Sequence, residues 1–148
     1  MFKKFLLLLA ALLIAAPGFC TTIGSIDYTK VIQNYSKAKT AYEEIDDRAT
    51  ELQRYLMDKE KEFKKIESPV GRKAFEEKTA KEFAVKQEAF AKFKAQKEES
   101  IDKEIQNAVK AVALENKLDV VLDDQAVLYG GVDVTQKIIQ KLNARPAQ

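Results

Sequence analysis

The sequence predicts an α+β protein in which a long antiparallel helical hairpin projects from a small β-rich base. Three observations lead to this prediction. Residues 34–116 contain proline and glycine at only one place, the segment 68–71. Apolar residues recur with helical spacing on both sides of that break. Short strand patterns precede the hairpin and follow it.

The first twenty residues have the features of an export signal. Lys3 and Lys4 precede an unbroken apolar run, residues 5–16, and a proline, a glycine and Cys20 follow. This order is typical of a signal peptide, and the run is too short to span a membrane. We expect cleavage after Cys20, with Gly18 as the alternative, and a periplasmic location in a bacterium with two membranes. Lipid modification of Cys20 is a second possibility, although Phe19 is a poor residue before a lipidated cysteine.

The mature chain has no net charge, but its charges are unevenly placed. After removal of residues 1–20 it contains 23 basic and 23 acidic residues, with no cysteine and no histidine. Residues 59–97 carry 12 basic and 7 acidic side chains. An excess of positive charge attracts anionic partners. We therefore expect a basic tip that attracts anionic partners; the alternative is an ordinary solvated coiled-coil surface on which the lysines are unevenly placed. Its residues are Lys59, Lys61, Lys64, Lys65, Arg72 and Lys73.

The residues 22–27 have the pattern of a short first strand, and Asp27 or Thr29 is a suitable cap for the helix that follows. That helix is expected to continue through a heptad repeat to about Ile66, a length of about 50 Å. A proline–glycine turn at 67–72 forms the tip of the hairpin. The second helix is expected from about Arg72 to Asn116, about 65 Å. The predicted arm is therefore 34–116.

Apolar and aromatic side chains of the arm are the candidates for contact with a partner protein. Those on the apolar seam are expected first of all to form the core between the two helices. Those off the seam are better candidates for exposed contacts. The candidate partner-binding residues are Tyr55, Met57, Phe63, Phe75, Phe83, Val85 and Phe90.

The predicted base consists of residues 21–33 and 117–148. Strands are expected at 118–123 and 126–129, with Gly130 and Gly131 ending the second. Asp133 or Thr135 then caps a last amphipathic helix, whose apolar residues are Val134, Ile138, Ile139 and Leu142. Three short strands leave open edges and bury little, so we expect copies of the base to share a β-core. The candidate oligomerisation residues are Ile23, Ile26, Val120, Val121, Leu122, Val127 and Tyr129.

The chain contains no recognisable catalytic, cofactor or metal motif. It lacks histidine, and Gly130-Gly131 is not followed by the lysine of a phosphate loop. Asp119, Asp123 and Asp124 do not have the spacing of a calcium loop. The basic tip is not rich in arginine, so we also expect no nucleic-acid binding. We expect a non-enzymatic protein without cofactors.

Two terminal segments resemble the Skp (OmpH-like) family of periplasmic chaperones. The first is IGSIDYTKVIQNY, residues 23–35, and the second is DVVLDDQAVLYGGVDVT, residues 119–135. The resemblance implies a homotrimer with a β-barrel body and three helical arms around a cavity. It also implies an ATP-independent holdase for unfolded outer-membrane proteins, whose basic arm tips would favour acidic clients or anionic lipid head groups. The neutral mature charge and the short arm depart from the family pattern, which bears on lipopolysaccharide binding and client size.

A structural coiled-coil protein that tethers or spaces envelope components is the alternative function. A tether is expected to keep strong heptads along its whole length, whereas the arms of a cage loosen towards the tip. Lys59 in a core position of the repeat and the break at Pro69 favour loosening.

Overall fold

A three-stranded parallel sheet lies at the base of the molecule, with the first strand in its centre. The computed structural model describes residues 21–144; the predicted signal peptide lies outside them. The strand order is β2-β1-β3, where β1 is Ile23–Ile26, β2 is Val120–Asp123 and β3 is Val132–Asp133. Gly24 lies opposite Val121 and Val132. A Cβ at Gly24 would lie 2.6 Å from Leu118 Cδ1, so glycine lets Leu118 pack directly on the sheet.

Residues 21–144 also contain four helices, and these confirm the helical hairpin. They are α1 (Tyr28–Asn34), α2 (Ser36–Lys64), α3 (Pro69–Glu115) and α4 (Thr135–Ala144). Asp27 caps α1 as expected, since its Oδ1 accepts a hydrogen bond of 2.7 Å from the backbone N–H of Lys30. Ser68 caps α3 and Pro69 opens it, three residues before the predicted start, because proline suits the first helical turn.

The prediction of one continuous first helix is wrong at Tyr35. There the backbone is extended, with φ −86° and ψ 112°, and separates α1 from α2. The Tyr35 side chain is buried in the core. Asn143 of α4 compensates for the break, because it hydrogen-bonds to the backbone of both Asn34 and Ser36. The bend therefore depends on a residue from the far end of the chain.

The prediction of a strand at 126–129 is also wrong. Residues Asp124–Ala126 form a 3₁₀ turn, the chain is irregular up to Gly131, and the third strand is Val132–Asp133. Gly130 and Gly131 have φ values of 82° and 92°, which favour glycine. They lead the chain into β3 rather than end a strand.

The core lies in the body and includes the roots of both long helices. Val31 of α1, Ile105 and Val112 of α3 and Ile138 of α4 are among its most deeply buried side chains. Ile26 belongs to this core and is 6% exposed, so it packs inside its own chain and does not lie on the exposed surface of the body. The apolar residues predicted for the last helix are buried, as expected.

Candidate functional surfaces

The arm is incompletely packed over most of its length. No side chain between residues 42 and 100 is buried. Two helices cover only one stripe of each other, so without a third element the seam stays partly open. Tyr42 and Leu56 are 39% and 42% exposed although both occupy seam positions. The arm therefore offers apolar side chains to solvent along its seam.

A groove halfway along the arm, here called the mid-arm groove, has a volume of about 640 Å³. Its apolar lining residues are Leu52, Tyr55, Ala89 and Phe90. The Tyr55 hydroxyl donates a hydrogen bond of 2.8 Å to Glu82. Partial burial and this hydrogen bond raise the pKa of Tyr55, and the same bond lowers the pKa of Glu82. The bond thus fixes an aromatic ring in the wall of the groove.

Charged side chains surround this apolar lining. Glu44, Asp47 and Glu51 follow one another along α2, and Arg48 and Lys86 also line the groove. Both cations lie over aromatic rings. Arg48 lies 3.6 Å from the centroid of Phe93, and Lys86 lies 5.0 Å from that of Tyr55. Lys97 pairs with Glu44.

A second groove, here called the tip groove, lies near the end of the arm and has a volume of about 290 Å³. The ring centroids of Phe63 and Phe75 are 6.2 Å apart in its wall. Lys59 occupies the seam beside them, with Nζ 5.6 Å and 5.7 Å from the centroids of Tyr55 and Phe75. Its ammonium is 2.8 Å from Glu62, and this hydrogen bond is the main reason that the pKa of Lys59 is raised. Aromatic faces and a carboxylate thus let a lysine occupy a seam position.

The basic residues of the tip divide into paired and unpaired ones. Salt bridges join Lys61 to Asp58 at 2.9 Å and Lys64 to Glu60 at 2.7 Å, and the hydrogen-bonded Lys64 lowers the pKa of Glu60. Lys65 and Lys73 form no ion pair with any residue between 21 and 144. These two lysines therefore supply much of the uncompensated charge.

The remaining basic residue of the tip is Arg72, which stabilises the turn. Its Nε donates a hydrogen bond of 2.7 Å to the Ile66 carbonyl, and its guanidinium lies 5.6 Å from the centroid of Phe63. Val70 beside it is exposed. The end of the arm therefore combines positive charge with an exposed apolar side chain.

The remaining arm candidates lie outside both grooves. Met57 and Val85 are exposed, as their positions off the seam predict. Phe83 is half-buried and lines neither groove. The structure thus brings Tyr55 and Phe90 together in one groove, and Phe63 and Phe75 in the other.

The body carries an exposed apolar surface, here called the body patch, which consists of Ile23, Val120, Leu122, Leu128 and Tyr129. Ile23 and Val120 are paired in register, so both lie on the same face of the sheet, and alternation places Leu122 there as well. Leu128 and Tyr129 are fully exposed. A depression of about 420 Å³, lined in part by the half-buried Val127, joins the sheet to this loop.

The body patch does not coincide with the predicted oligomerisation residues. Val121, which is one of them, is partly buried against the core of its own chain and is not part of the patch. Leu128 is absent from the predicted oligomerisation residues, because a strand at 126–129 would direct its side chain away from the shared surface. The glycine pair at 130–131 was the available signal that these residues form a loop.

The aspartates near β2 serve local structure. Asp119 accepts a hydrogen bond of 2.7 Å from the backbone N–H of Thr22, and Asp123 caps the 3₁₀ turn. Burial and the neighbouring carboxylates of Asp27 and Asp123 raise the pKa of Asp124. Within the described part of the chain no cluster of three acidic side chains could hold a metal ion. None of the helices described there is both long and apolar enough to cross a membrane.

A half-open helical arm on a small body with an exposed apolar patch defines an elongated protein whose candidate sites, among residues 21–144, are two surface grooves and a patch. Comparison of the sequence with known protein families identifies the family. The chain belongs to the family of OmpH-like outer membrane proteins, whose family model matches residues 22–142. This confirms the resemblance of the two terminal segments.

Among solved structures, the chain is similar to an OmpH-like protein from Caulobacter crescentus CB15, for which a role as an outer membrane chaperone has been suggested. The two share 15% sequence identity with a TM-score of 0.38, over 85% of this chain and 86% of the other. No protein of curated function matches the chain.

Proposed function

We propose that this protein is an ATP-independent periplasmic holdase that binds unfolded outer-membrane proteins and prevents their aggregation. Membership of the OmpH-like family supports a chaperone role. The observation that carries the proposal is the absence of any buried side chain between residues 42 and 100 of the described chain. An unfolded barrel exposes apolar strands that pair with each other, and the open seam offers them an alternative contact without any chemical step.

The proposed working unit is a homotrimer. Each chain has a sheet with two unpaired edges, β2 and β3, next to the body patch. Open edges and exposed apolar area favour association with identical copies, and three bases together would form a closed β-barrel body. The three arms would then surround a cavity that holds the client.

The test is a light-scattering assay of a urea-unfolded outer-membrane barrel diluted into buffer, combined with the solution mass of the complex. The expected result is a trimer that keeps the barrel soluble, with or without ATP. A monomer or dimer that leaves the barrel to aggregate would overturn the proposal and favour the envelope tether.

Matched variants identify the surface that holds the client. Leu52→Ser with Phe90→Ser removes two of the four apolar side chains that line the mid-arm groove. Met57→Ser with Val85→Ser removes exposed apolar side chains outside both grooves. We expect the first pair to weaken protection of the barrel more than the second. The reverse order would assign client binding to the outer faces of the arm.

The unpaired lysines of the tip are proposed to attract acidic clients or an anionic membrane surface. Lys65→Glu with Lys73→Glu should slow capture of an acidic client at low salt, and the difference should shrink as salt screens the charges. Reversal of Lys61 and Lys64 is the control with the same charge change, and we expect a smaller effect because both are already paired. Equal effects of the two pairs would show that only total charge matters.

A further inference from the structure

The mid-arm groove combines an apolar lining with carboxylates that lack partners. Within residues 21–144, neither Asp47 nor Glu51 forms an ion pair, whereas the neighbouring Glu44 is bound to Lys97. Both unpaired carboxylates line the groove beside Leu52, Tyr55 and Phe90. An occupant would therefore contact negative charge and apolar surface at the same time.

The spacing of these carboxylates is unfavourable without a partner. Asp47 and Glu51 are four residues apart on α2, so their side chains are neighbours on one helix face, and like charges at this spacing destabilise a helix. A cation placed between them would relieve that repulsion. The two cations of the groove lie over aromatic rings, Arg48 over Phe93 and Lys86 over Tyr55, whereas within residues 21–144 the two carboxylates have neither a ring nor an ion-pair partner.

We propose that the mid-arm groove binds extended client segments in which apolar residues alternate with lysine or arginine. This inference rests on the proposed holdase function and specifies which client segments the arm holds. Alternate residues of an extended chain point to opposite sides. Apolar side chains would then reach Leu52 and Phe90, while the basic ones pair with the carboxylates at the rim. Charge complementarity and the apolar lining favour this occupant over an acidic or purely apolar segment.

The test uses the full-length mature protein and two short fluorescent peptides with capped ends. Both alternate valine and tyrosine with a charged residue, which is lysine in one and glutamate in the other. Binding is measured by fluorescence anisotropy at low salt. The wild-type protein is expected to prefer the lysine peptide. Asp47→Asn with Glu51→Gln should reduce that preference roughly five-fold, the effect of two exposed ion pairs.

The matched control is Glu43→Gln with Asp46→Asn, which removes the same charge from exposed positions of α2 outside the groove. It should leave the preference close to that of the wild type. Three results would overturn the inference: an unchanged preference in the groove variant, an equal loss in the control, or no binding of either peptide. The barrel-aggregation assay on the same samples separates this inference from the holdase proposal, because that assay does not depend on peptide charge.

Discussion

At the scale of single residues, Asn143 determines how the arm leaves the body. Its Oδ1 accepts a hydrogen bond of 3.0 Å from the Ser36 N–H, and its Nδ2 donates one of 2.9 Å to the Asn34 carbonyl. Both backbone groups lie beside the helix break at Tyr35, whose hydroxyl bonds to Glu104 together with Lys37. Burial alone would raise the pKa of Glu104, but the hydrogen bonds from Lys37 and Tyr35 lower it overall. A small cluster thus fixes the root of the arm.

Replacing Asn143 should loosen this root. Asn143→Ala removes two hydrogen bonds to backbone groups, and we expect the free energy of unfolding to fall by about 1–2 kcal/mol. Urea unfolding followed by circular dichroism measures the change. Gln140→Ala on the exposed side of the same helix is the control. Equal stability of the two variants would show that the break does not depend on Asn143.

Tyr28 makes stability depend on alkaline pH. Burial, and then its hydrogen bond to Asp102, raise its pKa from 10.0 to about 12. The folded state therefore holds this proton more tightly than the unfolded state. The corresponding stability is complete below pH 10 and is lost as the pH rises to about 12. Stability curves of the wild type and Tyr28→Phe should converge over this range. Parallel curves would contradict the assignment.

At the scale of elements, the arm combines well-formed helices with a weak seam between them. α2 and α3 contain 29 and 47 residues, and the longer one extends about 70 Å. Intrahelical salt bridges such as Lys64–Glu60 and Lys103–Glu99 support the exposed faces. The lysine at position 59 interrupts the apolar contact close to the tip. Each helix of the arm is therefore well supported by itself, whereas the contact between the two helices is weak near the tip.

Lys59→Leu should strengthen the seam and weaken client capture. Leucine would bury apolar area beside Tyr55 and Phe75, a gain of about 1 kcal/mol for this half-open site. We expect slower hydrogen exchange at the tip and less protection of an unfolded barrel. Lys61→Leu, on the exposed surface, should change neither property. A more stable tip with unchanged protection of the unfolded barrel would show that client capture does not require a weak seam at the tip.

The elements differ in how far sequence alone could predict them. The cap at Asp27 depends only on neighbouring residues, so the local pattern was sufficient to predict it, whereas the same kind of pattern placed the start of α3 at Arg72 instead of Pro69. The break at Tyr35 depends on Asn143, whose hydrogen bond to Ser36 spans 107 positions. The apolar run at 126–129 has the composition of a strand, but the two glycines at positive φ make it a loop. Which arm residues meet in a groove also required the relative rotation of two helices.

At the scale of the whole molecule, residues of the body patch and residues of the core are expected to affect different properties. The patch should affect the proposed assembly, and the core should affect folding. Leu128 and Tyr129 are fully exposed, whereas Ile26 lies in the core of its own chain. Changes at these two kinds of position therefore have different expected results. Because Ile26 is buried in its own chain, a charge at this position is expected to unfold the chain.

Leu128→Asp with Tyr129→Asp should dissociate the proposed trimer and leave each chain folded. The charges would enter the shared interface but remain in water in the separate chain. Sedimentation measures the mass, and circular dichroism measures the helix content. Ile26→Asp is the contrasting variant, with expected loss of helix content as well. A double variant that stays trimeric would exclude this loop from the interface.

The central position of β1 has a consequence for the order in which the chain folds. A bond such as that from Thr22 to Asp119 spans 97 positions, and both strands that flank β1 come from beyond residue 119. Contacts so distant in sequence form late, while hairpin contacts form early. A chain made from its N-terminus therefore completes the arm while β1 still waits for its neighbours. Under the proposed function, the arm that holds clients would be complete before the base that assembles into the trimer.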